Sequence, residues 1–133
     1  MTPYCRTLLL LTATALWLSP SVGIAGTPPE VIGTGELRDC LYTPRIKSTR
    51  VLDDRTVLFF TMGRAVYRNV LAHRCATLGF HEAFLYRTHG TQLCDTDTIE
   101  VFTGHQGAAG AACALSKFER VEIVKPQGRA AMR

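Results

Sequence analysis

The sequence predicts a small all-β domain, an antiparallel barrel or sandwich of about six or seven short strands that disulfides stabilise. Short runs rich in Val, Ile, Leu, Thr and aromatic residues follow one another, with breaks short enough for hairpin turns. No long segment has the apolar spacing of an amphipathic helix. Four of the five cysteines lie in the same part of the chain, where they can pair.

Residues 1–25 have the features of a secretory signal peptide. Arg6 precedes an apolar run from Leu8 to Leu18, and the small residues around Ala25 fit a cleavage site. The run is about 11 residues long, whereas a membrane-spanning helix needs about 20, and no second candidate follows. We therefore expect a periplasmic or secreted protein with no transmembrane segment, whose mature chain of about 108 residues forms one domain.

The mature chain contains four cysteines, Cys40, Cys75, Cys94 and Cys113. An even number of cysteines in an oxidising compartment predicts two disulfides, and three connectivities are open. The pairing of Cys75 with Cys94 and of Cys40 with Cys113 is favoured, because the second link ties the start of the domain to its end. No Cys-x-x-Cys pair is present, which argues against a zinc knuckle and against a thioredoxin-like redox motif.

The first mature residues, 26–39, are rich in Gly, Pro and Thr without a sustained period, and they predict a flexible lead-in. A single β domain is expected over residues 40–125. Its first three strands are predicted at 45–52, 56–62 and 65–71, joined by hairpin turns. In the second of them both faces are largely apolar, which is typical of a central strand covered on both sides.

The triplet Asp53-Asp54-Arg55 separates the first two of these strands. Asp side chains accept hydrogen bonds from backbone amides two residues on, so the triplet predicts a turn. The alternative, a pair of carboxylates working as acid and base, would require both side chains to converge on one cleft. Asp95 and Asp97 form the other close pair of carboxylates, and a turn explains them as well.

The second half of the chain gives weaker signals. Residues 76–84 are compatible with a short helical turn or a loop, and propensity alone does not decide between them. Two strand pieces are expected around a turn at His89-Gly90, followed by a half-buried strand over 97–102.

Residues 104–112 are so rich in Gly and Ala that they predict a mobile loop, closed by Cys113. They do not match the Gly-x-x-x-x-Gly-Lys-Ser/Thr loop that cradles phosphates. A last strand is predicted over 117–125, and the tail 126–133 is expected to be disordered.

Two segments, Leu52-Asp53-Asp54-Arg55-Thr56 and Leu-Cys-Asp-Thr-Asp-Thr-Ile at 93–99, combine with the four cysteines into a distinctive pattern. The pattern resembles that of a family of small exported bacterial proteins catalogued as a domain of unknown function. The resemblance covers Cys40 to about Val121. It implies a location in the cell envelope, disulfides, and a framework role for both segments, and it implies no activity, substrate or cofactor.

The histidines are the candidates for a metal site, with His73, His81 and His89 named first and His105 beside them. His73-x-Cys75 brings an imidazole near a sulfur, so a periplasmic metal-binding protein with His and Cys ligands is the alternative hypothesis. The other interpretation is that these are surface histidines on loops, because no two share a helical i, i+4 spacing or a strand face.

Nothing in the chain predicts nucleophilic catalysis. Ser48 and Ser116 do not lie in a Gly-x-Ser-x-Gly turn, and a disulfide-bonded cysteine has no thiolate. We therefore expect no catalytic residue and no cofactor.

The formal net charge is +4, and basic residues crowd the start of the predicted domain. These residues could form a patch for an anionic envelope polymer or lipid headgroups, or they could be an ordinary solvated face. Export and the lack of an aromatic-plus-basic stacking motif argue against nucleic acid as a partner. The basic residues at the start of the predicted domain are Arg38, Arg45, Lys47, Arg50 and Arg55.

The sequence thus predicts a non-catalytic binding or accessory module of the cell envelope, whose partner is an envelope protein or an anionic envelope polymer.

Overall fold

A computed structural model describes residues 28–88, 90–104 and 109–124 of the chain. The predicted signal peptide, residues 1–25, and the predicted tail, 126–133, lie outside these residues. The elements within them are β1 (Val31–Arg38), β2 (Cys40–Tyr42), a 3₁₀ turn (Thr43–Arg45), β3 (Ile46–Val51), β4 (Thr56–Thr61), β5 (Val66–Val70), α1 (Leu78–His81), β6 (Phe84–Tyr86), β7 (Gln92–Cys94), β8 (Thr98–Phe102), β9 (Ala109–Ala114) and β10 (Phe118–Ile123).

The strands form three antiparallel sheets. The largest has five strands in the order β1-β10-β5-β4-β3, a second has the order β6-β8-β9, and β2 pairs with β7. None of the three closes into a barrel within the described chain, so the all-β prediction is confirmed in its sandwich-like form. No helix in the same residues is long and apolar enough to cross a membrane.

Strand β4 is an interior strand of the large sheet and is covered on both faces, as its two apolar faces predict. Val57, Leu58 and Phe59 are all fully buried. Val57 and Phe59 belong to the main core, whereas Leu58 packs with Val66 and Val121 on the other face of the large sheet. Successive side chains of a strand point to opposite faces, so one short segment supplies both clusters.

The main core lies between the five-stranded sheet and the two smaller sheets, because its members come from all three. Leu41 and Leu93 come from the β2–β7 pair, and Ile99 comes from β8. Phe59 is at its centre, with its ring edge-on to Phe118 at a centroid distance of 5.4 Å. Edge-to-face aromatic pairs add to the stabilisation that burial provides.

Asn69 is the buried polar residue of this core, and its amide is satisfied. Its Nδ2 donates to the Ser116 carbonyl, and its Oδ1 accepts from the Ser116 amide at 3.1 Å. A buried amide that makes both bonds to one backbone residue holds that residue in place. Asn69 therefore sets the position at which the chain enters β10.

The prediction of a flexible lead-in over residues 26–39 is wrong for most of that segment. Residues 31–38 form β1, an edge strand that pairs with β10. Gly33 lies against the Glu119 side chain, which a Cβ at this position would meet, and Gly35 has a φ of 81° in an irregular stretch of the strand. Seven of the eight β1 residues are exposed, so the sequence carries no apolar period that would reveal the strand.

The prediction of a mobile loop over residues 104–112 is wrong at its C-terminal end. Residues 109–112 belong to β9, which pairs with β8. A Cβ at Gly110 would collide with the Val101 carbonyl, so the glycine allows the two backbones to approach. The small residues that suggested a loop are what this close approach requires, and residues 105–108 lie outside the described chain.

The favoured disulfide pairing is also wrong. The disulfides join Cys40 to Cys94 and Cys75 to Cys113. Cys40 and Cys94 are direct cross-strand partners in the β2–β7 ladder, which decides the first pair. The second pair joins a fully buried Cys75, in the loop before α1, to β9.

Candidate functional site

A cleft of about 350 Å³ opens where β2, the 3₁₀ turn and the β4–β5 hairpin meet the ends of β1 and β10. Its lining includes three arginines and two tyrosines, and no acidic side chain. The lining residues are Arg38, Cys40, Leu41, Tyr42, Arg45, Thr61, Gly63, Ala65, Tyr67 and Arg120.

The β4–β5 hairpin forms one wall of the cleft. Thr61 Oγ1 donates to the Ala65 carbonyl at 2.9 Å, and Arg64 takes a left-handed φ of 64° to complete the turn. Gly63 and Ala65 carry little or no side chain, so the space above the hairpin stays open to the arginines around it.

Arg45 is held at the cleft by its backbone rather than by its guanidinium. Its carbonyl accepts from the Met62 amide at 2.9 Å, which ties the 3₁₀ turn to the tip of the hairpin. No carboxylate of the described residues lies within ion-pair distance of its side chain, as the ion pairs of this region all involve other cations. The charge of Arg45 is therefore directed to solvent and to whatever enters the cleft.

Arg38 and Arg120 approach the cleft from two neighbouring strands. The Arg38 guanidinium lies 5.6 Å from the centroid of the Tyr67 ring, which is cation–π distance. Glu36, beside the cleft, accepts from Arg38 Nη2 at 2.9 Å and from Arg120 Nη1 at 3.4 Å. The hydrogen bond from Arg38 is the main cause that lowers the pKa of Glu36, and the same bond raises the pKa of Arg38.

The structure divides the predicted basic patch. Arg38 and Arg45 reach the cleft, whereas Lys47 and Arg50 lie exposed along the edge strand β3. Arg55 has a framework role, because its Nη2 donates to the Leu71 carbonyl at 3.2 Å. Two of the five residues of the predicted patch thus reach the cleft.

Arg120 is the cleft residue that the sequence did not single out. It lies in the alternating segment Phe118-Glu119-Arg120-Val121, where a charge is expected on any half-exposed strand. Only the pairing of β10 between β1 and β5 brings it next to Arg38, more than 80 positions earlier in the chain. No local signal could have identified it.

The turn predicted at Asp53-Asp54-Arg55 is confirmed. Asp53 Oδ1 accepts from the Arg55 amide at 2.7 Å and from the Thr56 amide at 2.8 Å. The Asp54 carboxylate binds other partners, and its Oδ1 accepts from the Gly79 amide at 2.8 Å. The two carboxylates therefore make separate contacts and do not form an acid–base pair.

Asp54 is the anchor of the loop that leads to α1. Its Oδ2 accepts from Arg74 Nε at 2.8 Å and Nη2 at 2.6 Å, and its carbonyl accepts from the Cys75 amide at 2.7 Å. The hydrogen bond from the Gly79 amide is the main cause that lowers the pKa of Asp54, and the Arg74 side chain adds to it. The carboxylate form is therefore the one that the fold stabilises.

We expect Asp54→Asn to lower the melting temperature by several degrees at neutral pH. In acid, the melting temperature of the variant is expected to depend less on pH than that of the wild type. Because folding depresses the pKa, the stabilisation is complete above the ordinary value of 3.8 and is lost as the pH falls through the folded-state value. Melting curves from pH 7 to pH 2 check this, with Glu122→Gln, the loss of an exposed carboxylate, as the control. An unchanged acid dependence in Asp54→Asn would contradict the anchor role.

Asp95 and Asp97 are also explained by a turn. Asp97 Oδ2 accepts from the Cys94 amide at 2.7 Å, and the Asp95 amide donates to the Asp39 carbonyl at 2.8 Å. Lys117 pairs with Asp39 and lies 3.8 Å from Asp95 Oδ2. These contacts close the β2–β7 end of the domain.

The histidines do not assemble into a metal site in the described part of the chain. No group of three or more His, Cys, Asp or Glu residues there is placed to hold a metal ion. Cys75, the partner proposed for His73, is bonded to Cys113, and the His81 ring lies edge-on to Phe80 at 5.1 Å. His89 and His105 lie outside the described residues.

The two serines considered for catalysis lie on β3 and in the segment between β9 and β10. Ser48 is exposed on β3, and the Ser116 backbone is held by Asn69.

No protein-family model, curated protein or solved structure matches this chain. The functional conclusion therefore depends on the cleft.

Proposed function

We propose that this chain is exported to the periplasm or out of the cell and acts there as a non-catalytic binding module for an anionic polymer. Three arginines and no acidic side chain line the cleft, and this observation carries the proposal. A polar, cationic cleft selects for anions, and its arginines provide donors that match carboxylate and phosphate oxygens.

The proposed location has two supports. The first 25 residues have the pattern of a signal peptide. The two disulfides are of the kind that persists in oxidising compartments such as the periplasm, and cytosolic proteins rarely contain them. Anionic polymers are part of the surroundings that such a protein would meet.

The size of the cleft favours one unit of a polymer. Ligand pockets span about 300–1,000 Å³, and a volume of about 350 Å³ is at the small end of that range. The β4–β5 hairpin forms one wall, and the Arg38–Tyr67 pair offers an aromatic face beside a charge. A single acidic unit fits between the arginines, while the rest of the polymer continues outside the cleft.

We expect the double variant Arg45→Gln/Arg120→Gln to bind polygalacturonate about tenfold to thirtyfold more weakly than the wild type. Each exposed charge contact contributes about 1 kcal/mol, and two of them account for this change. The measurement is the dissociation constant of the exported protein, by calorimetry at low salt, because salt screens exposed charges.

The matched control is Lys47→Gln/Arg50→Gln, which removes two positive charges from the edge strand β3 outside the cleft. It is expected to weaken binding by no more than about twofold to threefold, through the loss of net charge alone. An equal loss of affinity in both double variants would show that overall charge, and not the cleft, binds the polymer.

A further inference from the structure

Glu36 lies on the part of β1 where the strand departs from regular pairing. The register with β10 shifts between Gly33 and Leu37, and Gly35 there has a φ of 81°. Thr34 Oγ1 donates to the Arg120 carbonyl at 3.0 Å, which fastens the irregular stretch to β10. Irregularities of this kind redirect side chains at sheet edges. The result here is that the Glu36 carboxylate is directed at two arginines of the cleft.

The contacts of this carboxylate are those that an acidic ligand would make. Oε1 of Glu36 accepts from both Nε and Nη2 of Arg38, at 3.0 and 2.9 Å, and Oε2 faces Nη1 of Arg120 at 3.4 Å. One carboxylate thus spans two guanidinium groups from different strands. Both Arg38 donors converge on one oxygen, which leaves the other oxygen to face Arg120. Hydrogen bonds between a guanidinium and a carboxylate are stronger than those between neutral groups.

The three partners remain in contact with water. The side-chain exposures are 41% for Glu36, 53% for Arg38 and 47% for Arg120. Exposed ion pairs contribute little to stability, since water competes with each contact. Another carboxylate can therefore replace that of Glu36 without disturbing the core, which none of the three residues enters.

We infer that Glu36 is an internal stand-in for the ligand, because its carboxylate occupies the arginine donors that a ligand carboxylate would bind. The cleft then takes a carboxylate-bearing polymer by exchange with the Glu36 carboxylate. This inference rests on the proposed function and adds the ligand class and its regulation. In the free protein the Glu36 carboxylate pairs with both Arg38 and Arg120 and holds their guanidinium groups close together. On binding, the carboxylate of a polymer unit takes over these donors, Glu36 turns to solvent, and Arg45 supplies a further charge.

The test compares the binding of polygalacturonate by the exported wild-type protein, Glu36→Gln, Glu36→Asp and Glu82→Gln. Glu36→Gln removes the competing charge and is expected to bind about twofold to fivefold more tightly. Glu36→Asp keeps the charge, but its shorter side chain cannot span both arginines, so a gain in affinity is expected here too. Glu82→Gln removes one exposed carboxylate at the end of α1 and is expected to change the affinity by less than about 1.5-fold, through net charge alone.

Each other outcome has a definite meaning. If the wild type binds and Glu36→Gln binds no more tightly, the stand-in inference is overturned while the proposed function stands. A gain in Glu36→Gln without a gain in Glu36→Asp shows a charge effect alone and overturns the exchange. If neither the wild type nor Glu36→Gln binds polygalacturonate or polyphosphate, the proposed function fails, and the inference fails with it.

Binding of polyphosphate by the same variants tests whether the cleft prefers carboxylate or phosphate oxygens. We expect a larger gain in affinity for polygalacturonate than for polyphosphate in Glu36→Gln, because the planar carboxylate reproduces the contacts of Glu36. A gain confined to polyphosphate would overturn the assignment to carboxylates. Melting temperatures within a degree or two of the wild type would show that both Glu36 variants are folded.

Discussion

Replacing Cys75 and Cys113 together with alanine is expected to lower the free energy of unfolding by about 4 kcal/mol. The disulfide closes a loop with a sequence separation of 38 residues, and opening it restores conformational entropy to the unfolded chain. Cys75 is fully buried, so its replacement also removes packing from the main core. A loss of this size is a large fraction of the stability of a small domain.

Urea denaturation of the oxidised protein measures this change, and thiol alkylation of the same variant tests the pairing itself. With Cys40 bonded to Cys94, no thiol between residues 28 and 124 of the variant is free. Either of the other two connectivities would leave both Cys40 and Cys94 unpaired, and alkylation would then add two labels. Two labels on the folded variant would contradict the disulfides of this structure.

Phe59→Ala is expected to cost about 3–5 kcal/mol of unfolding free energy. Phe59 is fully buried on β4, and its ring is edge-on to Phe118 at 5.4 Å and to Phe84 at 6.2 Å. Alanine at this position removes the apolar surface of the ring and leaves a cavity between the large sheet and the smaller ones.

The matched control is Phe80→Ala, the same substitution at a side chain that is 84% exposed. It is expected to change the unfolding free energy by less than about 0.5 kcal/mol. Chemical denaturation of both variants gives the comparison. Similar losses at the two positions would mean that the packing around Phe59 is not as the structure has it.

The residues with the two largest expected effects, Phe59 and the Cys75–Cys113 pair, do not line the cleft. The core around Phe59 and the Cys75–Cys113 link hold the sheets together. Arg45 and Arg120 line the cleft and are absent from that core. Variants of the cleft can therefore be tested for binding in a protein that still folds.

Local features of the chain were enough to predict much of this fold. The two apolar faces of 56–62 predicted a strand covered on both sides, because a two-residue period places neighbours on opposite faces wherever the strand lies. Asp53 makes the turn contacts that its chemistry predicts, since those bonds join residues two and three positions apart. An even number of cysteines after the predicted signal peptide predicted two disulfides.

Other features depend on partners far along the chain, and these were the ones that the sequence left open or predicted wrongly. Residues 31–38 become a strand only because β10 offers an edge, and Gly110 lies in a strand only because the Val101 backbone passes against it. The disulfide pairs follow from the β2–β7 register and from the position of Cys75 in the core. Long-range pairing of this kind leaves no period in the local sequence.

The candidate site shows the same division. The sequence shows that basic residues crowd the start of the domain, and Arg38 and Arg45 are among them. Strand order alone brought Arg120 beside Arg38, and the pairing of β4 with β5 brought the Leu71 carbonyl within reach of Arg55. A sequence determines which charges a chain carries, whereas only sheet order and register determine which of them face the same cleft, because those depend on contacts between distant segments.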